Sequence, residues 1–166
     1  MKTVHDYLDT LPQIGGVAWI GLSPGRRQPI VPVDCALARV DTGLDNDYHA
    51  SGGKSHRQLT LIQFEHLNVI ASLVGRDKIT PELLRRNIAV RGINLFALRN
   101  RRFRIGEAIL EGTGPCDPCS RMEENLGPGG LNAMRGHGGI TARVLIEGTI
   151  RAGDAVELLP HSESSA

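Results

Sequence analysis

Aromatic residues are scarce in this 166-residue chain, with one Trp, two Tyr and three Phe. Set beside twenty glycines and nine prolines, that scarcity argues against a helix bundle and for many turns joining short elements. Cysteine is scarce as well; three thiols are too few for the disulfide framework of a small secreted protein. Net charge is almost absent, since 19 Lys and Arg face 18 Asp and Glu. Nothing global therefore draws the chain to nucleic acid or to an anionic membrane, and any basic site must be a local cluster. No apolar run approaches membrane-spanning length, and the opening "MKTVHDYLDTLPQIGG" carries acids where a signal peptide needs an unbroken apolar segment. The expectation is a cytoplasmic, reduced, single-domain protein with no nucleic-acid and no membrane partner.

What is present is a series of short segments rich in β-branched residues between turn signals. They are Gly16–Leu22, Cys35–Val40, Leu59–Gln63, Ile88–Val90, Phe103–Glu111, Thr141–Glu147 and Ala155–Leu159. In Phe103–Glu111 the apolar phase slips at Gly106-Glu107, which predicts a bulge. Helices are few. "FEHLNVIASLV" sets Phe64, Leu67, Ile70, Ala71 and Val74 on one face, and "TPELLRR" predicts a brief helix with Thr80 as its cap and Pro81 at its first position. A third helix is expected from Cys119 to about Leu126, and a short turn over Leu131–Met134. Residues 23–29 and 41–56 read as loops; the second is long for a compact domain and offers little apolar material to hold it down. The division expected is an extension over 1–15, a domain over 16–160 and a disordered tail over 161–166.

The chemistry concentrates in "GPCDPCSRM", where Cys116 and Cys119 stand three apart, with Cys35 far away. A structural zinc site needs four ligands, and one pair with six scattered histidines does not make that pattern, so no zinc is expected. A thioredoxin-like couple would have a strand, a turn and CxxC leading into a helix, but it belongs with a parallel βαβ sheet that these short strands do not supply. Burial of both sulfurs as packing groups is a third reading, against which stand the flanking prolines, glycine and charges. The fourth is one reactive thiolate at a helix N-terminus, with Arg121 favouring its charged form.

Five stretches in order decide among them: "GLDNDYHA" (43–50), "RQLTLI" (57–62), "LRRNIAVRGINLFAL" (83–97), "FRIGEAILEGTGPCDPCSRM" (103–122) and "GGITARVLIEGTIRAGDAV" (138–156). Together they resemble a MOSC domain, the module similar to the C-terminal part of molybdenum-cofactor sulfurases. The resemblance implies a mainly β fold with a strongly bent, barrel-like sheet and a few peripheral helices. It places the essential thiol on Cys119 and leaves Cys116 at a position the family does not require. It implies molybdenum cofactor (molybdopterin) or a sulfur cargo at that cysteine, because a soft thiolate serves molybdenum as a ligand or carries persulfide sulfur.

The pterin's phosphate calls for cations, and Arg57, Arg85 and Asn87 match family positions with suitable chemistry. His137, in the glycine-rich "RGHGGI", is a further cofactor-binding candidate, while Arg86, Arg99, Arg101, Arg102 and Arg104 read as solvated surface. Asp47 and His49 lie in a loop where the family often has Gly-Asp and this chain has Asn46-Asp47; His49 could protonate a departing oxygen or sit on the surface. Longer members that reduce N-hydroxylated compounds carry a further N-terminal β domain, so a stand-alone domain is expected to offer a more open site, borrow a partner or do something other than full turnover. The leading expectation is the molybdenum component of such a reduction, with redox partner proteins supplying electrons. A non-catalytic carrier of sulfur or cofactor, dependent on a donor enzyme, is the alternative, and a thiol oxidoreductase using Cys116 and Cys119 is the second.

Overall fold

The computed structural model of the protein describes residues 1–52 and 55–161. Its strands are β1 (Gly15–Leu22), β2 (Val31–Val33), β3 (Cys35–Arg39), β4 (Gly43–Leu44), β5 (Leu59–Gln63) and β6 (Ile88–Arg91). They continue with β7 (Arg102–Ile105), β8 (Ala108–Pro115), β9 (Ile140–Ile146), β10 (Gly148–Arg151) and β11 (Ala155–Leu158). The α-helices are α1 (Val4–Leu8), α2 (His66–Val74), α3 (Ser120–Leu126) and α4 (Gly130–Met134).

Seven strands close a mixed barrel in the order β11-β7-β8-β9-β5-β6-β1, and β1 returns to β11 through Gly15↔Val156 and Gly16↔Ala155. Only β5 and β6 run parallel, with α2 and the 3-10 turn Pro81–Leu84 making the crossover between them. Closure removes the exposed edges that an open sheet would present. β2 is appended to β1, and β10, β3 and β4 form a small second sheet.

Alternation fills the barrel. Val17, Ile20, Leu61, Ile88, Phe103, Ile105, Leu110, Ile140 and Val156 belong to one interior cluster. A second cluster lies outside the wall, where Ile62 of β5 and Ala89 of β6 meet Leu67, Ile70, Leu84, Met122, Leu126 and Met134. That is why "LTLIQ" and "IAV" are apolar almost without interruption: both faces of this parallel pair are covered. Each large aliphatic or aromatic side chain so buried contributes about 1.5–3 kcal/mol. Among the described residues no helix is long and apolar enough to cross a membrane.

Three of the sequence-based expectations need correction. Phe103–Glu111 is not one bulged strand but a hairpin, β7 to β8, that turns at Gly106-Glu107 with Gly106 at φ +55°. Ile105 and Ala108 are partners across that turn, so both point inward, and the phase slip records a reversal of the chain. Register shifts occur instead in β8–β9, between Ile109 and Leu110 and between Gly112 and Gly114, and in β1–β6. "TPELLRR" forms a 3-10 turn that stops where Arg85 turns left-handed, and the Thr80 side chain makes no cap bond. The first fifteen residues hold α1, capped reciprocally by Thr3 and Asp6, with Asp9 bonded to Arg101 at 2.9 Å. The loop over 41–56 is not short of anchors in its first half, for Leu44 is buried and Asn46, at φ +65°, takes the left-handed turn that a glycine would otherwise provide. Residues 53–54 of that loop, and all of the expected tail except His161, lie outside the described residues.

Candidate functional site

The two thiols of the CxxC stretch have opposite surroundings. β8 carries the chain to Pro115, and the Cys116 amide then donates to Gly139 O at 2.9 Å, which leaves the residue buried. The chain emerges through Asp117 and Pro118, and Cys119 is exposed at the N-cap of α3, its side chain making no capping bond. Cys116 is thus packed like a core residue, contrary to the expectation drawn from its flanking prolines and charges. A thioredoxin-like couple exposes the earlier thiol, and here the earlier thiol is the buried one.

Arg86 holds this segment in place. It is buried, not solvated as its charge suggested, and its guanidinium donates to Gly138 O at 2.9 Å, Leu84 O at 3.0 Å and Cys116 O at 3.2 Å. Gly138 is required by the same close approach, since a Cβ there would collide with the Cys116 carbonyl.

Next to Cys119, the start of α3 faces a cleft of about 240 Å³ whose lining includes Arg26, Arg27, Arg85, Arg121 and the single carboxylate Glu124. Glu124 stands 3.7 Å from both Arg27 and Arg121, so one acid is shared between two guanidinium groups. Arg85 donates to Gln28 O at 2.7 Å and reaches Ser23 Oγ at 3.5 Å. Burial, and then the Arg121 charge, lower its proton affinity from the ordinary value, while Asp47 and Cys119 act in the opposite direction. Arg27 and Arg85 sit at φ +61° and +54°, a conformation that costs a residue with a Cβ about 1–2 kcal/mol. Four guanidinium groups facing one carboxylate leave this cleft with an excess of positive charge, two of its arginines on strained backbone.

Below the cleft lies a polar unit that shapes it. Asp47 is buried, and its carboxylate accepts from Ser23 N at 2.7 Å, His49 N at 3.2 Å and Asn87 Nδ2 at 3.3 Å. Asn87 also donates to Gly21 O, and its Oδ1 accepts from Thr60 N and Thr60 Oγ1. Both donor and both acceptor positions of the amide are therefore occupied, so Asn87 acts on the cleft through Asp47 rather than at a ligand's edge. His49 lines the cleft because Asp47 fixes its backbone.

Arg57 and His137 stand apart from this group. Arg57 is exposed just before β5, and its guanidinium has no partner among the described residues. His137 pairs with His66, their Nδ1 atoms 3.3 Å apart and their rings edge to face. Burial, reinforced by His137, lowers the His66 pKa, and Glu65 opposes the shift. The folded state then binds fewer protons than the unfolded one, so this stabilisation is complete above the ordinary histidine pKa of about 6.5 and is lost as pH falls below it. Urea midpoints should drop between about pH 7.5 and pH 5.5, and by less in His66→Gln. An equal drop in both proteins would remove His66 from the account. Among the described residues, no three His, Cys, Asp or Glu side chains converge as metal ligands.

Sequence reasoning did not find Arg26, Arg27, Ser23 or His66. The adjacent arginines after Pro24-Gly25 were a usable signal of local charge, but nothing in the sequence linked that turn to Arg85 and Arg121.

The MOSC domain family model matches residues 47–157. The fold is shared with the YUAD protein of Bacillus subtilis, at TM-score 0.76 and 22% identity over 90% of this chain and 98% of that one. It is shared too with YiiM of Geobacillus stearothermophilus, at 0.73 and 18% over 90% and 77%, and YiiM of Escherichia coli, at 0.69 and 19% over 87% and 70%. Identities this low establish likeness of fold alone. No protein of curated function matches the chain in sequence.

Proposed function

This chain belongs to the MOSC domain family, and from that premise we propose that it binds molybdenum cofactor, with Cys119 as the ligand to molybdenum and the arginine cleft as the seat of the pterin's phosphate. The observation that carries the reading is an exposed thiol beside a cleft with four guanidinium groups and one carboxylate. The donor set fits the group: a soft, accessible thiolate for the metal, and planar cationic forks for phosphate oxygens.

When bound, the cofactor supplies a two-electron redox centre, and the reaction proposed is reduction of an N-hydroxylated compound, R–NHOH + 2e⁻ + 2H⁺ → R–NH2 + H2O. The electrons come from a separate redox protein. The chain's own residues do the rest: Arg85 and Arg121 bind and orient, Asp47 with Asn87 holds the floor, and His49 holds a proton for the departing oxygen. Carriage of cofactor or persulfide sulfur to another enzyme is the second reading, favoured by the exposure of Cys119.

Molybdenum and pterin content, measured in protein from a cofactor-competent host, tests the first reading; persulfide on Cys119 without molybdenum would select the second. Arg85→Gln should lower retained pterin about tenfold or more, as expected for loss of a charge-assisted bond worth ~1.5–3 kcal/mol. Arg57→Ala should cost less, because Arg57 does not line the cleft. Equal loss in the two variants would move the phosphate seat towards Arg57.

A further inference from the structure

The thiol segment has a second face. Behind it lies a cleft of about 110 Å³ whose lining includes His66, Leu95, Phe96, Arg99, Cys116 and Pro118. It shares Gln63, His66 and Asn94 with an adjoining groove, so the two are continuous. None of the arginines of the phosphate cleft lines it.

The composition is that of a small-molecule site, with mostly apolar walls and a few placed polar groups. Part of the floor is bare backbone at Gly138 and Gly139, where a Cβ would collide with the carbonyls of Cys116 and Leu61. Phe96 remains 64% exposed at the edge, although the Arg99 guanidinium carbon lies only 3.8 Å from its ring centroid. Arg99 Nε is buried and has no hydrogen-bond partner. That nitrogen is sealed from the cleft, so a ligand there meets the rest of the Arg99 group, which lines the cleft with no ion pair or hydrogen bond among the described residues and whose charge favours an anionic acceptor. Asp117, the acid in the lining, is exposed to water. Gln63 is not available to a ligand, since its amide is bonded to Val90 O, Ile93 O, Glu65 and Leu95 N.

We propose that this cleft is a binding site for a small planar molecule that carries a carboxylate. The flat body packs against Phe96, Leu95 and Pro118, and the carboxylate is accepted by Arg99, with His66 alongside. The site is separate from the arginine cleft and does not depend on a cofactor there, so it can be tested whatever the outcome at Cys119.

The test is titration of the full chain with benzoate, read by the imidazole NMR signals of His66 and His137 and by thermal shift. Benzamide serves as the neutral isostere and inorganic phosphate as the competitor for the arginine cleft. Benzoate should move the His66 signals, benzamide should bind about tenfold more weakly, and saturating phosphate should not displace benzoate. Arg99→Gln should raise the benzoate Kd about tenfold or more, and Arg26→Gln should leave it unchanged. If Arg99→Gln does not fold, the benzoate-to-benzamide ratio in the unaltered protein decides. Silent His66 signals, equal binding of benzoate and benzamide, or equal weakening by both substitutions would overturn the site.

Discussion

Arg86→Met should lower the free energy of unfolding by about 3–5 kcal/mol. Methionine fills much of the arginine's volume, so the loss is chiefly electrostatic. Three carbonyls, on Leu84, Cys116 and Gly138, lose a cationic donor in one step. Each acceptor left unsatisfied in a buried site costs roughly 1–3 kcal/mol. Working against this, removing an ion from the interior recovers its desolvation cost, which is why the expected loss falls below the sum of the separate bonds. Arg86→Lys should recover less than half, because one ammonium cannot reach three carbonyls in the guanidinium's plane. Urea unfolding at constant m-value measures both variants. A loss under about 1 kcal/mol would mean that these carbonyls find other partners and that Arg86 does not organise the segment. The consequence for function is indirect but specific. Arg86 lines neither cleft, yet both are walled by the segment it holds, so loading at Cys119 should fall along with stability.

Arg86 also marks the limit of what the sequence could tell. Reading it as solvated was the right default for a charged residue, and Arg102 and Arg104 keep part or all of their exposure. A buried guanidinium becomes legible only when the carbonyls around it are known, and these come from positions 84, 116 and 138. Strands were easier, because alternation is a local signal. Of the seven segments named from it, six occur as single strands and Phe103–Glu111 as the β7–β8 hairpin; all lie in the barrel wall except Cys35–Arg39, which belongs to the smaller sheet. Elements that escaped, such as Val31–Val33, Gly43–Leu44 and Gly148–Arg151, carry Pro32, Gly43 and Gly148, turn-forming residues that interrupt a β-branched run. The site was half legible for the same reason. Cys119 and Arg85 lie in matched stretches, whereas Arg26 and Arg27 reach the cleft only because the end of β1 and its following turn fold against the segment before β6. Asn46 shows the converse: the absent glycine left the loop's shape open, and the structure shows an asparagine in the left-handed turn.

Cys119→Ser should abolish molybdenum retention and persulfide loading while leaving the fold unchanged. The side chain is exposed and makes no cap bond, so exchanging sulfur for oxygen removes no packing. The hydroxyl is a harder and far less acidic ligand and cannot carry sulfane sulfur. Cys116 calls for a different substitution, because serine would bury a hydroxyl with no assured partner. Cys116→Ala avoids that and should cost about 1 kcal/mol of stability, the effect of a small cavity, with loading close to the unaltered protein. The contrast separates the mechanisms. A disulfide couple or a metal hook needs both sulfurs, so either would be disabled by either substitution. The single-thiolate reading predicts one substitution that abolishes loading with the fold unchanged and one that costs only packing. Alkylation gives the same discrimination without mutagenesis, since an exposed thiol beside Arg85 should label well before one that is 4% exposed. Labelling that begins at Cys116, or a Cys116→Ala protein that folds but loads nothing, would transfer the chemistry to the pair.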